Sequence, residues 1–421
     1  MKSTCKKSYL FLLAGYFLLV ACHRSKHVDD IAPQLAEQLA DTSSNAPLGM
    51  AMDQSLYGLL FNQLLVSEEA LAPKSDPHLP GIEASPTRWG TLPVSNGREP
   101  ILLTIGTSIS AGFRDGGLFR QGQLTAFPSL VAHQMGLKEY NVGAFPPSMS
   151  NGTGYLVLAN TAGKPQYKKI TNNLAQISDS PLRFQKVPAA STNLALPYLN
   201  YSGVYAQPNK AAERIQNNGS ESMSMPFLMR LLPADEEIAE VSVLKLAGQL
   251  SYDISLLEFG FTDYLGFYQP QSIQTDYHFI NNGVYPHKML AERMGARAIL
   301  LTVPEVRDLP YFQFFPANSV QGFCIDFYNG LIRTWASEYG ASVFDLHGLY
   351  KQVMSNTYTT DDGYRIDPSF RTGNFFSSDG LHPSAIGHAV IANELIKHIN
   401  SRYTAHIPLI HVGDYARQFE K

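Results

Sequence analysis

The chain has 421 residues, 44% of them apolar and 16% charged, enough apolar material for a sizeable core. Its net charge of -4 is spread along the chain with no basic block, which argues against nucleic acid as the main partner. Only three cysteines occur, at positions 5, 22 and 324.

Lys2, Lys6 and Lys7 precede an apolar run from Ser8 to Ala21, too short to span a bilayer comfortably. It ends Leu19-Val20-Ala21-Cys22, which resembles a bacterial lipobox. That likeness implies a signal peptide over 1–21, removed to leave an acylated Cys22, and a protein lipid-anchored in the bacterial envelope, with the outer membrane as its expected location. Cys5 would leave with the signal, so no internal disulfide is available. Cys324 sits among Phe and Ile and reads as a small buried hydrophobe.

Residues 22–99 read as a tether and preface. A short helix is expected at 31–39, an apolar docking stretch at 55–65, and a Pro/Ser/Gly-rich linker or wrapping segment at 73–100. From Pro100 strands and helices alternate. Strands are expected at 101–105, 253–259, 296–303 and 342–345, and helices at 123–135, 287–294, 324–339 and 384–399. This pattern implies an α/β fold, a three-layer sandwich with a central parallel sheet whose carboxyl ends carry the site. A stretch from about 140 to 250 breaks the alternation and reads as a long insertion shaping a cleft.

Two blocks carry chemistry. Gly106-Thr107-Ser108 closes the first strand, and Asp379-Gly-Leu-His382 precedes the last helix. A hydroxyl attacks a carbonyl when a base takes its proton, and an acid three residues before a histidine can orient that base. Either block alone is ordinary turn sequence; a serine in a turn or a surface histidine needs no further account. Together, at opposite ends of one α/β unit, they point to a Ser108–His382–Asp379 triad. His133, His278, His287 and His388 read as surface or packing residues. No metal-ligand pattern and no cofactor motif is found.

The chain resembles the SGNH/GDSL hydrolase family. Gly106-Thr-Ser-Ile-Ser110 is similar to its Gly-Asp-Ser-Leu-Ser block, with Thr107 in the Asp place, and Asp379 and His382 match its Asp-x-x-His block. Arg114–Pro128 and the tail from Phe376 to Tyr415 resemble a lipoprotein subgroup from Bacteroidetes-type bacteria. The resemblance covers about 100–415 and implies a flavodoxin-like fold. It also implies Ser108 as nucleophile, His382 as base and Asp379 as its orienter. An oxyanion hole would come from the Ser108 N–H, a glycine N–H (Gly203, with Gly143 the alternative) and residue 262, where Thr262 replaces the family's Asn. The expected activity is a serine esterase acting on carboxylic esters: short acyl, lipid or acetylated glycan. Because Thr107 and Thr262 both depart from the pattern, the competing expectation is a catalytically weak or inactive binding lipoprotein on the same fold.

Overall fold

Four apolar runs become adjacent parallel strands: β1 (Leu102–Gly106), β2 (Ile254–Glu258), β3 (Ala298–Leu301) and β4 (Ser342–Phe344), in that order across the sheet. Every residue of β1, β2 and β3 is buried, as expected of a sheet covered on both faces. Each large apolar side chain so buried contributes about 1.5–3 kcal/mol. The register pairs Gly106 with Glu258, so the two strands end level.

The computed structural model describes residues 64–72, 75–81, 88–94, 98–160, 163, 165–179, 182–201, 203–205, 224–232, 241–266, 286–313 and 321–419. The expected signal segment, Cys22, the helix at 31–39, most of 55–65, His278 and the side chain of Cys324 lie outside them. All described residues fall within one unit, 46–421.

Beyond β1 the chain returns as an edge. Thr104 N–H donates to Thr192 O (2.9 Å), Leu194 N–H to Thr104 O (2.7 Å) and Leu196 N–H to Gly106 O (3.0 Å). Residues 192–196 thus run parallel beside β1, opposite β2. The spatial order is then 192–196, β1, β2, β3, β4, the flavodoxin-like sequence 2-1-3-4-5, whose switch point lies between β1 and β2.

Helices flank the sheet: α1 (Ser108–Ala111), α2 (Phe127–Gln134), α3 (Gln321–Tyr339), α4 (Ala385–Tyr403) and a helix over 286–294. α2 packs on α4. α4 starts where expected because Ser384 Oγ accepts the Gly387 N–H (3.1 Å) as its cap. The single helix expected at 123–135 is two, Arg120–Leu124 and α2, because Pro128 opens a new first turn. The insertion holds a hairpin of Gln176–Asp179 with Leu182–Phe184, and a strand, Tyr167–Ile170, flanked by Leu156–Leu158 and by Leu65–Glu69 from the preface. The preface also wraps: Trp89 Nε1 donates to Met135 O (2.8 Å) and Thr91 N–H to Tyr403 O (2.6 Å).

His287 and His388 are packing residues. His287 bonds Tyr328, and His388 Nδ1 accepts the Phe127 N–H (3.2 Å). Burial lowers both imidazoles, His287 to about 3 and His388 well below its ordinary range. A histidine depressed in the native state binds more protons unfolded, so its contribution falls as pH drops below its unfolded value of about 6.5. Burial raises Glu258 and Asp263, which act in the opposite sense, so the test is a difference. The stability gap between the native chain and His287→Gln is expected to shrink by about 1.4 kcal/mol per pH unit below about pH 6.5. Urea unfolding at several pH values reads this; a constant gap would refute it.

Candidate active site

β1 delivers Gly106 to the sheet rim, where a Cβ would lie 2.7 Å from Ser110 Oγ and 3.0 Å from Glu258 Oε2; only glycine fits there. Thr107 stays extended and Ser108 begins α1, a helix of four residues closed by Gly112 in the left-handed region (φ 77°). Ser108 is fully buried, and its Oγ accepts the Tyr198 N–H (3.2 Å). Tyr198 follows the 192–196 edge and holds φ at +61°, a conformation normally left to glycine.

The second block is a tight loop turned by Gly380 (φ 68°). Asp379 Oδ2 lies 2.9 Å from His382 Nδ1 and accepts the Gly116 N–H (3.2 Å). Its Oδ1 accepts the Leu381 N–H (2.8 Å), the His382 N–H (2.9 Å) and Ser377 Oγ–H (2.9 Å). Burial alone would raise this carboxyl. The neighbouring His382 and the bonds from it and Leu381 outweigh that and hold it below the usual carboxylate range. An ionised Asp379 assigns the ring proton to Nδ1 and leaves Nε2 as the acceptor.

Two phenyl rings fix the imidazole edgewise, Phe113 at 5.1 Å and Phe261 at 5.4 Å between centroids. Phe113 also touches the Tyr198 ring (5.2 Å), and its N–H donates to Ser108 O (3.0 Å). Ser108, Tyr198 and His382 are therefore gathered about one phenylalanine at the rim of β1 and β2.

The run after α1 has a structural task. Asp115 and Gly116 both hold positive φ (53° and 68°), and Arg114 and Gly117 exchange backbone hydrogen bonds (3.1 and 3.0 Å), which is a type I′ turn. Asp115 Oδ1 accepts the Ser378 N–H (2.8 Å), and its own N–H donates to Ser377 Oγ (3.1 Å). Together with the Gly116 N–H, this turn clamps the loop that carries the acid.

Of the expected oxyanion donors, Ser108 sits at the start of α1, but the Gly203 N–H is already engaged. The Gly203 N–H donates to Asn200 Oδ1 (2.7 Å), an Asx turn within its own loop, and the Gly143 N–H is held by Asn141 Oδ1 (2.9 Å) in the same way. Tyr198 supplies the backbone N–H next to the serine. A search for glycine misses it because a backbone donor needs no particular side chain. Thr262 lies in the first turn of the helix Phe261–Gly266, after Gly260 (φ 98°), and its buried Oγ1 has no hydrogen-bond partner. Asp263 beside it accepts the Tyr201 N–H (2.9 Å) and so ties the loop after Tyr198 to the end of β2.

Solved structures that resemble the chain include a catalytic mutant of Axe2, an acetylxylan esterase from Geobacillus stearothermophilus (12% identity, 73% of this chain and 96% of that one, TM-score 0.34). Others are a lipase/acylhydrolase from Enterococcus faecalis (15%, 72% and 96%, 0.33) and LAE5, an α/β hydrolase from the metagenome of Lake Arreo, Spain (16%, 72% and 95%, 0.34). No curated protein matches. The GDSL-like Lipase/Acylhydrolase family matches residues 102–395, a span that opens on β1 and closes inside α4 and so takes in both catalytic-type blocks. The chain belongs to that family, and it is a hydrolase of ester bonds.

Proposed function

We propose that the protein is a serine esterase working through an acyl-Ser108 intermediate. The observation that carries this is the buried Asp379–His382 pair, whose imidazole shares the Phe113 ring with Tyr198 at the rim where Ser108 Oγ meets the Tyr198 N–H. In this reading His382 Nε2 takes the Ser108 proton as Oγ attacks the ester carbonyl. The oxyanion is held by the N–H groups of Ser108 and Tyr198 and by the Thr262 hydroxyl. Collapse expels the alcohol, which receives the proton from His382, and water then repeats the sequence on the acyl-enzyme.

Thr262 suits the third donor because its buried hydroxyl lacks a partner, a state a protein tolerates where a ligand supplies one. Thr262→Val is expected to lower kcat by about 10²-fold, the usual cost of one oxyanion donor. Steady-state kinetics on a p-nitrophenyl ester decide it; an unchanged kcat would remove Thr262 from the site.

Substrates are carboxylic esters, with acetylated glycans, short-chain esters and lipid esters as the candidate classes. Turnover of one class in a panel of acetylated glycans and acyl esters of graded length supports the esterase reading, and no turnover across the panel contradicts it. We also propose, from Lys2, Lys6, Lys7 and the Leu-Val-Ala-Cys22 ending, a lipid-anchored envelope protein of the Bacteroidetes lipoprotein type, with the hydrolase domain over 100–415.

A further inference from the structure

We infer that Glu258 is the positioning residue of the nucleophile turn, supplying from the neighbouring strand a carboxylate that holds both sides of Ser108. This deepens the acyl-Ser108 reading and rests on it.

Glu258 ends β2 directly opposite Gly106 and is 2% exposed. Its carboxylate spends every contact on one turn. Oε1 accepts the Thr107 hydroxyl (2.7 Å), while Oε2 accepts the Thr107 N–H (2.9 Å) and the Ser110 N–H (3.3 Å). These residues flank Ser108. No arginine, lysine or histidine among the described residues forms an ion pair with this carboxylate. A buried acid without a cation is costly, so its retention calls for a task.

The task follows from what α1 lacks. A four-residue helix has little cooperativity of its own, and its first N–H groups have no partner within it. Thr107 occupies the capping position, yet its hydroxyl does not cap the helix and turns to Glu258 instead. The carboxylate therefore replaces the missing cap from outside and fixes the direction of the Ser108 N–H and Oγ. Gly106 makes the approach possible, since a Cβ there would sit 3.0 Å from Oε2.

The arrangement also explains the departure at position 107. All three groups around Glu258 are donors. An aspartate at 107, the residue of the Gly-Asp-Ser pattern, would set an acceptor against an acceptor. Threonine at 107 and glutamate at 258 form a matched donor–acceptor pair.

Five variants test this, alongside Ser108→Ala, with kcat, KM and the thermal unfolding midpoint measured for each. Glu258→Leu leaves the Thr107 hydroxyl and the Thr107 and Ser110 N–H groups without their acceptor and is expected to lower kcat by about 10²-fold, as a small misplacement of a reacting group does, with KM within about threefold. Thr107→Val is expected to lose about tenfold in kcat, while Thr107→Ser keeps the hydroxyl and the rate. Thr107→Asp is expected to be nearly inactive. Combining it with Glu258→Gln, whose amide can donate to Asp and accept from the N–H groups, should recover at least about tenfold over Thr107→Asp alone. Glu258→Leu and Thr107→Val within twofold of the native kcat would overturn the inference, as would absence of recovery in the double variant. Activity surviving in Ser108→Ala overturns the nucleophile reading and this inference with it. Loss there, with an active Glu258→Leu, overturns this inference alone.

Discussion

Ser108→Ala is expected to lower kcat/KM for an activated ester by about 10⁴-fold or more while leaving the fold intact. The reasoning is geometric. Ser108 Oγ accepts the Tyr198 N–H, and removing it deletes the covalent step while sparing the packing around it. The Cβ of alanine stays within the first turn of α1, whose other anchors, Thr107 and Ser110 to Glu258, are untouched. Rates of p-nitrophenyl acetate hydrolysis for both chains check this, and equal rates would place the chemistry elsewhere.

Asp379→Asn is expected to cost about 10⁴-fold in kcat, the size of effect a wrong imidazole tautomer produces in a Ser-His-Asp triad. Here the carboxylate takes five hydrogen bonds, from Ser377, Leu381, Gly116 and two from His382. An asparagine amide must aim its NH₂ at one set of these donors. If it faces the ring, Nδ1 becomes the acceptor and Nε2 carries the proton, so the base cannot accept one from Ser108. If it faces Leu381 and His382 N–H, the loop loses two backbone bonds, at about 1–3 kcal/mol for each buried group left unmade. Both outcomes lower the rate and the unfolding midpoint, the second by more, because it leaves two backbone donors unmade where the first leaves only the Gly116 N–H. A variant with native kcat would mean that Asp379 does not orient His382.

The sheet was legible because its strands are continuous apolar runs. Each expected strand overlaps an observed one, and the helices at 286–294, α3 and α4 fall where helical spacing put them. The contact of Asp379 with His382 was legible too, since the two are close in sequence. What escaped is long-range or rests on the backbone. Residues 192–196 join the sheet through main-chain bonds to Thr104 and Gly106, and their short sequence, Thr-Asn-Leu-Ala-Leu, carries no continuous apolar run like those of the other strands. Tyr198 acts through its N–H, so its side chain gives no sign, and the one available clue, a positive φ, is invisible before folding. Glu258 sits within an apolar strand and looks like an isolated charge until β2 is laid beside β1 in register. The preface strand Leu65–Glu69 finds its partner about a hundred residues away, beyond the reach of any local pattern.

The most direct test of a serine activated by His382 is covalent capture. A fluorophosphonate probe, followed by peptide mass spectrometry, is expected to place a single adduct on Ser108. Labelling should fall to background in His382→Ala, whose serine lacks its base. Esterase activity in a chain whose Ser108 stays unmodified, or an adduct on another residue with the same loss of activity, would contradict the assignment.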